Sequence, residues 1–329
     1  MRGVFVDANE SLAVIFERLE KPDDPKVRIN RDPDIRSDQY PEVLDGAEIA
    51  IVDHTALPTD VARKCAGLKH VVFLGTGARS YMNPEELSQL GISVHLIKGY
   101  GDTAVAESAI ALMWSSARVI AQMDREMRAG NWLRENAMQL TGKTLGLIGF
   151  GGIAAEVARI ALGSGMKVIA WNRTAKKHPG VEFVELDKLL ADSHIVSLHL
   201  LLNDDTKGFI TRERIAAMRP GVILVNTARG AIVDEAAMID ALKSGHIRHA
   251  GLDVFNIEPL PGDHPLTKLP NVTLSAHSAF RTPEASENLI GAAWEQRTAC
   301  GAAREQSAAA THRCLATPRA PLRDRVGRG

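Results

Sequence analysis

Gly149, Gly151 and Ala154 occupy the three small positions of a G-x-G-x-x-G/A turn within TGKTLGLIGFGGIAAEVARIALGSGMKVIAWNRT, residues 141–174. The first glycine permits a tight turn, the second lets backbone approach a pyrophosphate, and the third small residue lets helix and strand pack closely. A lone glycine fingerprint is weak. Here an apolar run over 144–148 precedes it, and a helical pattern over 153–162 and a second apolar run over 167–171 follow. That context predicts dinucleotide binding rather than a purely structural turn. Phosphate charge belongs at the N-terminus of the following helix, where free N–H groups and the dipole favour an anion. The expected cofactor-binding residues there are Gly149, Gly151, Gly152 and Ile153.

The end of the second apolar run bears on which nucleotide is bound. A carboxylate at that point would bind the ribose 2′-hydroxyl of NAD. This chain instead has Asn172, Arg173 and Thr174, followed by Lys176 and Lys177. No carboxylate stands there to repel a 2′-phosphate, and Arg173 offers a planar fork suited to phosphate oxygens. A solvated basic turn is the plain alternative. The expectation is NADP in preference to NAD.

Three further residues fall at ends of expected strands or in adjoining loops: Arg229, Glu258 and His277. Singly, each has a bland reading, as a surface ion-pair residue, a turn carboxylate and a satisfied core histidine. Beside a nicotinamide site they form a complete set for reducing a 2-oxo acid. That reaction needs a cation for the carboxylate, a proton donor for the carbonyl oxygen, and a carboxylate partner for that donor.

The elements that must position these residues alternate along the chain. Short apolar runs at 3–7, 26–29, 47–52, 70–73 and 93–96 are interleaved with helical patterns at 10–19, 59–66 and 84–90. This predicts a small parallel α/β unit ahead of the glycine turn. Residues 103–127 read as one long helix, apolar nearly all round its first half, buried within its own domain or against a second subunit. After the turn, strands are expected at 194–200, 222–226, 250–254 and 271–276, with helices at 211–218 and 235–244. These make the second half of a doubly wound sheet, whose ligands bind at the carboxyl ends of the strands.

A chain of 329 residues, 45% hydrophobic and 24% charged, has globular composition and length for two domains. With a formal net charge of −1 it has no strong pull toward nucleic acid or membrane surfaces. Three cysteines, Cys65, Cys300 and Cys314, lack metal-ligand spacing and suit reduced thiols, so no metal site is expected. The start of the chain passes from a strand to a helical pattern without a signal-peptide core, and no apolar run approaches the roughly 20 residues needed to span a bilayer. The expected location is the cytoplasm.

Taken together, GTGA (75–78), GYGDTAVAESAIAL (99–112), TGKTLGLIGFGGIA (141–154), VNTARGAIVDE (225–235), GLDVFNIEP (251–259) and SAHSAFRTPEA (275–285) resemble the D-isomer-specific 2-hydroxyacid dehydrogenase family over roughly residues 1–295. The resemblance implies two doubly wound (Rossmann-like) α/β domains with an interdomain active-site cleft. Residues 1–98 with 280–296 would form a flavodoxin-like substrate domain, and 99–279 the NAD(P)-binding Rossmann domain. It implies that Arg229 grips the substrate carboxylate and polarises the 2-oxo group. His277 would protonate the carbonyl oxygen, and Glu258 would fix the imidazole tautomer and favour its charged form. Backbone N–H groups of Thr76, Gly77 and Ala78 would hold the other end of the carboxylate, and Asp253 and Thr227 would help place the nicotinamide. A homodimer through the Rossmann domain and a small-molecule 2-oxo or 2-hydroxy acid substrate are also implied.

The chain departs from relatives acting on 3-phosphoglycerate. An arginine is expected in them after the third strand, where this chain has Asp53-His54-Thr55 and only Arg79 nearby. Small acids such as glyoxylate or hydroxypyruvate fit better, with D-3-phosphoglycerate dehydrogenase as the alternative substrate class. A dehydrogenase-like NAD(P)-sensing binding protein is the alternative of another class. From about residue 297 the chain is rich in Ala and Arg and resembles nothing in the family. It reads as a disordered tail over 297–329.

Overall fold

In the computed structural model the described residues are 2–21, 26–174 and 176–296. The expectation of a disordered tail over 297–329 lies outside them. The chain divides into two compact units, Met1–Tyr100 with the segment from Ser286 onward, and Gly101–Ala285.

The first unit contains β1 (Gly3–Phe5), α1 (Glu10–Leu19), β2 (Val27–Ile29), α2 (Tyr40–Leu44), β3 (Ile49–Val52), α3 (Thr59–Ala62), β4 (His70–Phe73), α4 (Pro84–Gln89) and β5 (Ser93–Leu96). Its strands pair in parallel in the order β2-β1-β3-β4-β5. This flavodoxin-type order has its switch point between β1 and β3. β3 is buried at every position, as both-face coverage requires of a central parallel strand. One face packs on Tyr40, Leu44, Val61 and Leu87. The other packs Phe5, Ile51 and Val72 on Phe16 of α1 and on Leu289, Ile290 and Ala293 of the returning helix, residues 283–296. Trp294 meets the Phe16 ring edge-on at 4.9 Å. At the carboxyl ends of β1 and β3, the fully buried Asp7 carboxylate accepts the N–H groups of Asp53, His54 and Thr55 at 2.7–2.8 Å.

The second unit runs α5 (Asp102–Arg118), α6 (Ile120–Arg128), β6 (Thr144–Ile148), α7 (Gly152–Gly163), β7 (Lys167–Trp171), β8 (Val181–Phe183), α8 (Leu186–Asp192), β9 (Ile195–Leu198), α9 (Arg212–Ala217), β10 (Val222–Asn226), α10 (Glu235–Ser244), β11 (Ile247–Leu252), α11 (Pro265–Lys268) and β12 (Val272–Leu274). Its parallel sheet has the order β12-β11-β10-β9-β6-β7-β8, so the direction of winding reverses between β6 and β9. That crevice is where a doubly wound sheet binds its ligand. β9 and β10 are buried throughout, which explains their continuous apolar runs.

The single helix expected over 103–127 is instead two, α5 and α6, bent by 65°. Val119 breaks them in the left-handed conformation, at φ 56°. α5 is held by its apolar face. A Cβ at Gly251 of β11 would come within 2.9 Å of Leu112, so helix and strand are in close contact there. The apolar pattern stops at Ala117, and α6 has no buried residue. Nothing holds α6 to the line of α5, and its Arg125 instead donates to the carbonyl of Pro270 at 3.2 Å. The buried part of 103–127 therefore ends with α5 and Val119, and Ile120 and Met127 of α6 are exposed.

His249 of β11 is 3% exposed and bonds Thr273 Oγ1 at 3.0 Å. Burial, reinforced by Arg125 and Arg248, pushes its imidazole down to about 4. The unfolded chain then binds the extra proton first, so stability from this group is present above pH 6.5 and is lost as pH falls from there toward 4. At about 1.4 kcal/mol per unit, the loss is roughly 3 kcal/mol. Melting temperature measured between pH 7 and 4 should fall in this window, and His249→Asn should flatten the fall. An identical acid slope in the variant would remove His249 from this role.

Candidate active site

The glycine turn sits at the switch point between β6 and β9. Gly149 has φ 87°, and a Cβ there would lie 2.7 Å from the carbonyl oxygen of His199. Only glycine combines that left-handed backbone with that closeness. A Cβ at Gly151 would meet nothing within 4 Å, so the space beside it is open. Gly152 begins α7, and a Cβ there would lie 1.8 Å from Asp102 Oδ2. Ile153 follows in the first turn of α7 and packs partly buried against the core, while Ala154 is fully buried. The helix start has no side-chain cap, which leaves its first N–H groups for a ligand.

At the end of β7, Asn172 Oδ1 accepts the N–H of Phe150 at 3.0 Å and its Nδ2 donates to the carbonyl of Thr174 at 2.7 Å. Asn172 thus ties the glycine turn to the segment after β7. Arg173 points into solvent, with Nη1 3.3 Å from Asp205 Oδ2 and both side chains more than three-quarters exposed. Such an exposed pair is worth little and gives way readily to a stronger anion.

β10 delivers Arg229 through a turn held by its last residue. Asn226, 2% exposed, accepts the N–H of Ala228 and donates to the carbonyl of Arg229, both at 3.0 Å. Arg229 itself is extended, with Nη1 donating to the Ala228 carbonyl at 2.6 Å. Between them Thr227 is 8% exposed, and its Oγ1 is buried without a hydrogen-bond partner. A buried hydroxyl in that state costs free energy unless a ligand satisfies it. The open face of Gly151, the uncapped start of α7 and this orphaned hydroxyl all fit a dinucleotide laid across the switch point.

His277 follows β12. Its Nδ1 lies 2.7 Å from Glu258 Oε2, and the other carboxylate oxygen accepts the N–H of Phe255 at 2.8 Å. Glu258 is therefore fixed on one side by backbone and on the other by the imidazole. With Nδ1–H donating to Glu258, Nε2 is the ring nitrogen left to face a substrate. The His277 and Glu258 side chains are 36% and 34% exposed, so the pair is reachable. Phe280 stands edge-on to the imidazole at 6.4 Å.

Asp253 organises this loop. It is 1% exposed, and Oδ1 accepts Ser275 Oγ–H at 2.5 Å and the N–H of Ser278 at 3.1 Å, while Oδ2 accepts the N–H of Ala279 at 3.0 Å. Its own N–H donates to Asn226 and its carbonyl accepts from His277 N–H. The structure thus adds loop-holding to the nicotinamide contact expected of Asp253. Asn226 and the holding role of Asp253 were missed by sequence reasoning. The signal was a polar residue at the end of an apolar strand, just before each functional loop.

Arg229, Glu258 and His277 all belong to the second unit, together with Gly149, Gly151, Gly152, Ile153, Asn172, Arg173, Thr174, Thr227 and Asp253. Thr76, Gly77 and Ala78 lie in the first unit, just past β4, with Ala78 opening a short 3-10 turn. Among the described residues, the N–H groups of Thr76 and Gly77 make no backbone hydrogen bond.

Residues 110–279 match the family described as D-isomer specific 2-hydroxyacid dehydrogenase, NAD binding domain. The chain is 37% identical over 288 residues to a hydroxypyruvate reductase of Thermotoga maritima, covering 85% of this chain and 88% of that one. It is 40% identical over 224 residues to a glyoxylate reductase of Korarchaeum cryptofilum, covering 63% and 68% of the two chains. A solved structure of an acyclic imino acid reductase in complex with NADPH and D-Arg superposes with a TM-score of 0.78 at 30% identity, covering 89% of this chain and 94% of that one.

Replacing Asp253 by Ala leaves two backbone N–H groups and a hydroxyl without an acceptor, at about 1–3 kcal/mol for each buried group. Thermal melting should drop by several degrees, and turnover should fall because the loop carrying His277 is unheld. A variant with unchanged melting and unchanged turnover would show that the loop holds itself.

Proposed function

Because the chain belongs to the D-isomer specific 2-hydroxyacid dehydrogenase family, we propose that it reduces small 2-oxo acids, glyoxylate and hydroxypyruvate, with NADPH as its preferred cofactor. It is an NAD(P)-dependent oxidoreductase that interconverts 2-oxo and D-2-hydroxy acids, an enzyme rather than a dinucleotide-sensing binding protein. The observation that carries the mechanism is the 2.7 Å contact between His277 Nδ1 and Glu258 Oε2.

Reduction adds hydride to the carbonyl carbon and a proton to its oxygen. The dinucleotide, when bound, supplies the hydride. His277 gives the proton from Nε2, while Glu258 holds the opposite nitrogen and fixes the ring's orientation. Arg229 pairs with the substrate carboxylate and draws electron density from the adjacent carbonyl. Thr76, Gly77 and Ala78 are proposed to donate N–H groups to that carboxylate, and Thr227 and Asp253 to contact the nicotinamide. Glu258 donates nothing to the substrate. Its work is done through His277.

Asn172-Arg173-Thr174 supports NADPH, since the Asp205 carboxylate on Arg173 is an exposed one that a 2′-phosphate can displace. Against a phosphorylated substrate stands the charge at the end of β3. His54 is raised to about 9 by Asp53 and Asp7, yet one imidazolium faces two carboxylates there. The local balance is negative and repels a phosphate. A cytoplasmic homodimer through the Rossmann unit completes the proposal. A surface groove between α5 and α7, lined by Glu107, Ile110, Trp114, Arg159 and Ile160, supports the pairing face. No nucleic-acid or membrane partner is proposed.

Oxidation of NADPH and NADH with glyoxylate, hydroxypyruvate and 3-phosphohydroxypyruvate tests this reading. The expected result is faster NADPH oxidation with the two small acids, and activity confined to NADH with the phosphorylated acid would overturn it. His277→Ala should lower turnover about 10²–10⁴-fold. Arg229→Ala should abolish turnover while dinucleotide affinity, read by titration, stays within about twofold, as for a group that meets only substrate. Normal turnover in either variant would rule out its assigned role.

A further inference from the structure

The segment after β7 holds the glycine turn by contacts that dinucleotide recognition does not itself require. Phe150 lies between Gly149 and Gly151, and both of its peptide groups are held from this segment. Asn172 Oδ1 accepts its N–H at 3.0 Å, and Lys176 Nζ donates to its carbonyl at 2.5 Å. The Phe150 ring is also covered, with the His178 ring at 5.3 Å and the Phe183 ring at 5.1 Å, and the residue is 5% exposed.

This matters because the turn cannot hold itself. Glycines on both sides of Phe150 have wide conformational freedom, and Gly149 already sits at φ 87°. The pyrophosphate is to be met by N–H groups whose directions depend on how those two glycine peptides are turned. A side chain that fixes the intervening peptide selects that direction before the ligand arrives, which lowers the ordering cost of binding. Lys176 does so with an ammonium, whose hydrogen bond to a carbonyl is charge-assisted and stronger than a neutral one. Arg173, only three residues earlier, turns instead to solvent and Asp205.

We propose that Lys176 is a positioning residue for the glycine turn, setting affinity for the pyrophosphate that NAD and NADP share. This rests on the dinucleotide site and not on the preference for NADPH.

The full chain carrying Lys176→Met, Lys176→Arg or Arg173→Ala is titrated with NADPH and with NADH by calorimetry, beside thermal melting without ligand. Lys176→Met should weaken both dinucleotides by the same factor, about tenfold for a lost charge-assisted bond. Its melting temperature without ligand should fall by a few degrees at most, a fall that Lys176→Arg restores. Lys176→Arg should recover most of the affinity, because a guanidinium also donates to a carbonyl. Arg173→Ala should weaken NADPH alone. A loss confined to NADPH in Lys176→Met would place Lys176 in the 2′-phosphate site and overturn the proposal. Unchanged affinity for both dinucleotides would overturn it too, as would a lowered melting temperature that Lys176→Arg fails to restore. A parent chain that binds NADH more tightly than NADPH would overturn the cofactor preference alone, since the Lys176 comparison is made within each dinucleotide.

Discussion

The active site depends on one buried carboxylate. Asp253 is placed where water cannot reach it, and a carboxylate there is tolerable only with its oxygens occupied. Ser275, Ser278 and Ala279 supply the donors, and so the chain after β12 is obliged to curl back over the end of β11. That curl carries His277 through a left-handed backbone at φ 48°, a conformation few side chains adopt without such support. The imidazole emerges facing Glu258. Loss of this one acceptor would free the loop, and with it the alignment of His277 on Glu258.

The same device recurs at each functional loop. Asn226 is buried at the end of β10 and uses its amide to hold both ends of the turn that presents Arg229. Asp7 is buried at the end of β1 and gathers three successive N–H groups after β3. Asn172 at the end of β7 holds the glycine turn after β6. In each case a polar side chain at the carboxyl end of a strand satisfies backbone groups of a loop. Arg229 and His277, the groups proposed to meet substrate, stand on the loop itself. Precision comes from the strand, and reach comes from the loop.

Charge is distributed to match. The exposed Arg173–Asp205 pair is weak and replaceable. The His277–Glu258 pair is shorter, part-buried and anchored by backbone at Phe255, so its geometry is the better held of the two. In the first unit one imidazole, His54, lies beside two carboxylates, Asp7 and Asp53.

The amino-acid order alone determined the alternating α/β plan and the glycine turn, and it singled out Arg229, Glu258 and His277 as candidates. These are local facts: apolar runs of strand length, small residues at fixed spacing, and reactive types at strand ends. Tertiary structure decided what depends on groups distant in sequence. Val119 breaks the helix expected over 103–127 because α6 finds no apolar surface to continue on, and no periodicity inside that stretch reveals where the sheet's cover ends. Asp253 and Asn226 acquire their holding roles only when loops from different strands converge, since a polar residue closing an apolar run looks alike whether it caps a turn or faces solvent. Lys176 is one of two adjacent lysines in sequence, and the reach of its ammonium to the Phe150 carbonyl, 26 residues back, exists only in the fold.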